Sequence, residues 1–193
     1  MNRFKLHKPK PLVLVASEHE AKYITYPYIF IIGEKAEQLI KLDITVVYHK
    51  GGHSSMILFG GSDMTPIYPL DDIHRLYSID YVFATHKMFN GIQVKGINGL
   101  HKTNVMTSSH SMQLKQEIYD VGRINSTVQL FDMESNMVAY YCQQKNIPLS
   151  IVRYVINTCY KRLMPFGLNH FWRKWQHKAR QEEFNELMEN LCH

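Results

Sequence analysis

The stretch from Thr127 to Asn157, TVQLFDMESNMVAYYCQQKNIPLSIVRYVIN, restricts this chain more than any other. Thr127 to Asp132 has the length and the apolar content of a buried strand. Glu134 to Lys145 carries Met137, Val138, Tyr141 and Cys142 on one side at helical spacing, and Asn146 and Pro148 end that helix. Leu149 to Ile156 is a second strand with five apolar or β-branched members. This order predicts one βαβ unit with parallel strands and a right-handed crossover, and so an α/β chain. The polar residues gather where such a unit binds ligands: Asp132 and Glu134 close the first strand, and Asn157 closes the second. A carboxylate beside a helix N-terminus is held ionised by the positive end of the helix dipole. Residue type alone leaves a second reading open, in which Asp132 and Glu134 serve as N-cap and first-turn acid.

At 193 residues the chain is sized for one domain, 1–193, with a well-buried core. Hydrophobic content of 45% and charged content of 20% are ordinary for a globular protein. No run approaches the ~18 apolar residues of a membrane span. The basic start MNRFKLHKPK followed by PLVLVA imitates a secretory signal, but the apolar run is short and SEHEAK follows at once. It reads as the first core strand. Cys142, Cys159 and Cys192 are odd in number and form no CxxC pair, which points to a reducing, cytoplasmic setting and no zinc site. The net charge of +5 suits an anionic ligand or weak nucleic-acid affinity without selecting either, and eleven histidines make it sensitive to acid.

Leu12 to Ala16 is a continuous apolar run fit for a central parallel strand, with Ser17 placed to cap a helix that ends by Pro27. Ile29–Ile32, Ile44–Tyr48 and Ser55–Phe59 read as strands, with Glu34–Lys41 helical and a turn at Lys50-Gly51-Gly52-His53. Gly60-Gly61-Ser62 ends the third strand as a glycine turn. Ile79–Thr85 and Thr103–Thr107 are further strands, and Gln113–Gly122 is a helix with a C-terminal Gly. Asn169 to Leu191 is a long helix with Asn169 as candidate N-cap. Phe171, Trp172, Trp175 and Ala179 form one apolar stripe, and Phe184, Leu187, Met188 and Leu191 form another on a different face. Two packing partners are expected, its own sheet and a neighbouring subunit. Arg173, Lys174, Lys178 and Arg180 beside the tryptophans leave nucleic acid or a membrane surface as a weaker alternative.

The segment DMES, a helix, NIP and the strand SIVR resemble the nucleoside phosphorylase/nucleosidase superfamily, and within it the 5′-methylthioadenosine/S-adenosylhomocysteine nucleosidase branch. The resemblance implies a three-layer αβα sandwich with a central mixed, mostly parallel sheet, a homodimer, and a purine nucleoside as ligand with no cofactor. In that family a Met-Glu pair grips the ribose, and it matches Met133-Glu134. The A-S-E-H-E segment is similar to the family's first strand–turn, whose last Glu orients the attacking water, and this places Glu20 in that role. A solvated helix acid is the plainer reading of Glu20. Gly60, Gly61 and Ser62 resemble the family's glycine loop, where backbone N–H groups approach phosphate, water or ribose. The spacing from Gly60 to Ile79–Thr85 equals the family's.

Departures bear on the chemistry. Thr85-His86-Lys87-Met88-Phe89-Asn90 stands where the family has a glycine-rich turn, and Ala84 where phosphorylases carry an arginine. Phosphorolysis is thereby disfavoured unless Lys87 supplies the charge. An aromatic, His/Asp-rich family segment is shortened between Gly91 and Thr103. Ser108-Ser109-His110-Ser111-Met112 resembles the family's purine-packing turn, with Met112 facing the base and His110 at an aspartate position. A core methionine is an equal reading of Met112. Asn157 matches the base-handling aspartate of the nucleosidases. An amide cannot give up a proton, although it can bond N7 and a 6-oxo group together, as in the 6-oxopurine branch. His110 or Cys159 could supply an acid if the fold brings them close.

The expected activity is hydrolysis of an N-glycosidic bond through a ribosyl cation. Glu134 holds the sugar, Glu20 positions water and Asn157 meets the base, with Asp132 beside them. The alternatives are a nucleoside-binding or sensing protein with weakened catalysis, and a phosphorylase of the same superfamily. Membrane contact is not expected and nucleic acid is disfavoured.

Overall fold

Strand β1 (Leu12–Val15) shows how the layers arise in the computed structural model, which describes residues 9–64, 75–85, 87–109, 127–157 and 166–192. All four of its side chains are buried. Leu12 and Leu14 join one apolar cluster, and Val13 and Val15 join another, because successive side chains of a strand point to opposite faces. Strand β3 (Met56–Met64) repeats the division, sending Met56 and Leu58 one way and Ile57 and Phe59 the other. Strand β8 (Leu149–Asn157) sends Leu149, Ile151 and Val155 to the first cluster and Val152 and Tyr154 to the second. A sheet apolar on both faces must be covered on both.

Helices do so. Among the described residues, α2 (Gln38–Lys41), α3 (Ile44–Lys50) and α4 (Ser135–Gln144) cover one face through Leu39, Ile44, Tyr48, Val138, Ala139 and Cys142. The long helix α5 (Phe166–Cys192) covers the other through Phe184 and Met188. Phe184 stacks on Phe59 with ring centroids 4.0 Å apart. The result is the three-layer αβα arrangement around a mixed sheet.

The remaining described strands are β2 (Ile29–Ile31), β4 (Leu76–Ala84), β5 (Lys87–Gln93), β6 (His101–Thr107) and β7 (Val128–Asp132). The strand order is β2-β1-β3-β7-β6-β4-β5, and β8 pairs with both β3 and β4. Strands β3, β7, β6, β4 and β8 therefore close into a ring. Parallel pairs join β1–β2, β1–β3, β3–β8, β4–β6 and β6–β7, while β3–β7, β4–β5 and β4–β8 are antiparallel.

Several sequence expectations are corrected here. β7 and β8 flank α4 as a strand–helix–strand, but they are not a parallel pair. β7 runs with β6 and β4, and β4 runs against β8. The local pattern records the crossover but not the ring closure that returns β8 on the opposite heading. Ile44–Tyr48, expected as a strand from its β-branched run, lies in helix α3. There Ile44 and Tyr48, four residues apart, are both buried on one side. Gly60, Gly61 and Ser62 lie inside β3 rather than in a turn beyond it. The first helix, α1, spans only Glu18–Ala21, and the Ser17 side chain makes no capping bond. Asn169 falls within α5 rather than ahead of it. Gln113–Gly122, His110 and Met112 lie outside the described residues. Of the two apolar stripes on α5, Phe184 and Met188 meet the sheet, whereas Trp175 is 53% exposed. The side chains of Phe171, Trp172 and Arg173 are outside the description. Lys178 and Arg180 are paired along the helix with Glu182 and Glu183. Among the described residues no helix is long and apolar enough to cross a membrane.

Candidate functional site

Strands β3 and β7 run in opposite directions and overlap only at their tips, where Asp63 faces Phe131 and Met64 faces Leu130. Their carboxyl ends therefore meet. β1 and β8 run with β3, and β6 runs with β7, so the ends of all five strands point to one place. A cavity of about 310 Å³ opens there, at the low end of the ~300–1,000 Å³ usual for small-molecule sites. Ala16 and Ser17 follow β1, Gly61, Ser62 and Asp63 end β3, and Ser108 follows β6; all six line it. Phe131, Asp132, Met133 and Glu134 enter from the end of β7, Ile156 from β8, and Glu34 from the turn after β2. Helix α1 contributes His19 and Glu20, and α5 contributes His177.

The two acids, far apart in the chain, come to the same cavity. Glu20 is buried at 9% exposure, accepting hydrogen bonds from Ala16 N (3.0 Å) and Gly61 N (2.7 Å). Its one-turn helix exists to make that approach: Glu20 N and Ala21 N both bond back to Ser17 O. Glu134, 6% exposed, stands at the junction of β7 and α4. Beside it, Asp132 uses its carboxylate internally. It accepts from Thr107 Oγ1 (2.8 Å), from the Ser135 hydroxyl and from Ser135 N (3.3 Å), so it caps α4.

Between the acids lies Arg153, on β8, with no exposed surface. It pairs with Asp132, reaches Glu134 Oε2 at 3.3 Å, and donates to Ser135 Oγ at 3.0 Å. Its neighbour across the sheet is Gly60. A Cβ at Gly60 would come within 2.6 Å of Arg153 Nη1 and 2.8 Å of Glu20 Oε1. Gly60 is thus needed for the arginine and glutamate to pass, and it does not itself line the cavity. Arg153 Nε and Nη1, and the Ser62 hydroxyl on the cavity wall, have no hydrogen-bond partner among the described residues.

Three carboxylates share one guanidinium in a buried space. Burial pushes the Glu134 carboxyl up, Arg153 opposes this, Asp132 and Glu20 add to it, and the value settles at about 7. Burial also raises Glu20, with Arg153 and the Gly61 and Ala16 amides opposing. Burial alone would lower Arg153, but Asp132, Glu134 and Glu20 hold it above its ordinary value. The guanidinium stays charged, and a carboxyl that keeps or releases a proton near neutrality stands beside it.

Of the site residues expected from the sequence, Glu20, Glu134, Asp132, Met133, Gly61 and Ser62 share this cavity. Asn157 ends β8 opposite Asp63, next to the cavity-lining Ile156, and its side chain lies outside the description. Met112 and His110 lie outside it too. Arg153, His19 and His177 were not expected. Arg153 had a signal, a charge in the middle of the apolar run SIVRYVI, since a buried charge in a strand demands partners. Among the described residues no group of three or more His, Cys, Asp or Glu is arranged to hold a metal ion.

No protein-family model matches the chain, and no curated protein matches it in sequence. Solved structures do match in fold, and nucleosidases and related hydrolases with the same α/β fold are among them. One is the 5′-methylthioadenosine/S-adenosylhomocysteine nucleosidase of Helicobacter pylori with a butyl-thio-DADMe-Immucillin-A, at TM-score 0.74 and 12% identity, covering 95% of this chain and 99% of that one. Another is a mutant futalosine hydrolase of the same organism, at TM-score 0.70 and 12% identity, covering 94% and 99%. A third, from Chlamydia trachomatis, is an aspartate-to-asparagine variant bound to methylthioadenosine, at TM-score 0.66 and 15% identity, covering 92% and 94%.

Proposed function

We propose that this protein hydrolyses the N-glycosidic bond of a purine nucleoside, of the methylthioadenosine/adenosylhomocysteine type or a 6-oxopurine nucleoside. The observation that carries the reading is the convergence of Glu20 and Glu134 on one nucleoside-sized cavity at the strand ends. Breaking the bond builds positive charge on the ribosyl ring and negative charge on the base. Glu134 is placed to hold the sugar hydroxyls and oppose the positive charge, with Met133 beside it. Glu20, fixed by two backbone amides, positions water for attack and takes its proton. The Ser62 hydroxyl on the cavity wall, without a partner among the described residues, offers that water a further bond. Asn157 bonds the departing base, which leaves with the electron pair of the glycosidic bond and takes its proton from solvent.

Hydrolysis is favoured over phosphorolysis by charge. Among the described residues, Glu20, Glu34, Asp63, Asp132 and Glu134 line the cavity and no lysine or arginine does, so a phosphate would meet acids and no cation to hold it. The fold neighbours that bind methylthioadenosine and immucillins support a nucleoside as ligand. In the sequence resemblance, Asn157 replaces an aspartate, which favours a second reading: a nucleoside-binding protein with weak turnover. We also propose a cytoplasmic homodimer, for which sedimentation should give twice the 22.7 kDa chain mass.

A panel of adenine and hypoxanthine nucleosides, with and without phosphate, tests the reading. Free base without phosphate means hydrolysis, and release that requires phosphate refutes the charge argument. No release with a nucleoside-dependent thermal shift means the binding protein.

A further inference from the structure

Helix α5 carries His177, Gln181 and Asn185 at four-residue spacing, and all three turn to the segment that bears Glu20. Gln181 is fully buried; its Oε1 accepts from Tyr23 N at 2.7 Å, and its Nε2 donates to His19 O at 3.1 Å. Asn185 repeats this one turn on, accepting from Thr25 N at 2.9 Å and donating to Tyr23 O at 2.8 Å. At the cavity end, the His177 ring meets the His19 ring edge-on at 4.3 Å, and its Nδ1 bonds the Tyr154 hydroxyl at 2.8 Å. Burial, and then the charge of Glu20, hold that phenol well above its ordinary pKa, so it stays protonated.

The segment from 19 to 25 has only one turn of helix of its own. Its exposed-edge amides and carbonyls are met by side chains of α5 instead of by a neighbouring strand. We propose that His177, Gln181 and Asn185 are positioning residues, a polar stripe by which the C-terminal helix sets the Glu20 carboxylate against Ala16 N and Gly61 N. This rests on the reading in which Glu20 serves a bound nucleoside. The apolar side of the helix, Phe184 and Met188, is anchored in the core. The stripe therefore transmits a fixed reference position to a short turn whose Ala21 and Ile24 also pack against the core.

Two measurements on Gln181→Ala and Asn185→Ala test the stripe. In amide exchange followed by NMR, the Ala16 and Gly61 amides should exchange faster than in the parent, with Leu58 in the middle of β3 unchanged. Faster exchange confined to Tyr23 and Thr25, or spread equally to Leu58, overturns the proposal. In base release, Gln181→Ala should lower kcat by roughly 10²-fold with little change in KM, as misplacement of a catalytic group does. In a Glu20→Gln background it should cost nothing more, and an equal loss in both backgrounds refutes the stripe. If Gln181→Ala fails to fold, Asn185→Ala, at a position only partly buried, carries both measurements alone. A parent protein that releases no base from any nucleoside sinks the catalytic reading, and the exchange result then decides the stripe by itself.

Discussion

Near neutral pH the Glu134 carboxyl stands between its two forms, because burial and the neighbouring acids outweigh Arg153. If the ionised form grips the sugar, base release should climb as pH rises through about 7. Stability should move the other way. A carboxyl raised from 4.5 to about 7 in the folded state favours folding while protonated, so its contribution is fully present below 4.5 and lost as pH rises through about 7. Glu134→Gln should flatten that part of the melting-temperature profile, and an unchanged profile would remove Glu134 from the account. Arg153 answers to a different rule. Replacing it by Leu strands its carboxylate partners without a counter-charge and should cost about 3–5 kcal/mol. At this chain length that is a fall of roughly 10 °C in Tm, and a fall of under about 2 °C would show that the pairs carry little. Asn157→Asp tests the base side. It should raise release of adenine by up to ~10²-fold if the amide is what limits proton supply, and no gain would place the limit elsewhere.

At the scale of elements, α5 has an apolar side and a polar side with separate duties. Phe184→Ala should cost about 3–5 kcal/mol by leaving a cavity against Phe59, read from denaturant unfolding; a cost below 1 kcal/mol would mean that the helix is held elsewhere. The elements differ in how far they could be read from the chain. Continuous apolar runs in LVLV and MILF gave β1 and β3, because strands buried on both faces are apolar throughout, and helical spacing in SNMVAYYCQQ gave α4. Ile44–Tyr48 misled because a β-branched run favours strand locally, while tertiary burial of Ile44 and Tyr48 settled a helix. Glu20 and Glu134 could be singled out through short motifs at strand ends. The Gln181–Tyr23 contact could not, since 158 residues separate its partners and no local pattern encodes it.

At the scale of the molecule, the ring of five strands decides where chemistry can occur. β3 and β7 approach tip to tip, so two oppositely directed groups of parallel strands deliver their carboxyl ends to a shared cavity. The strand–helix–strand pattern around α4 predicted ligand binding at strand ends. It did not predict that β7 and β8 run opposite ways, because ring closure is a property of the whole sheet. The most direct test of the central claim is base release from nucleosides in phosphate-free buffer by the parent protein, Glu20→Gln and Glu134→Gln. The account predicts free base from the parent and a loss of about 10²–10⁴-fold in each variant, with folding intact. A parent that is inactive on every nucleoside, or variants as active as the parent, would contradict it.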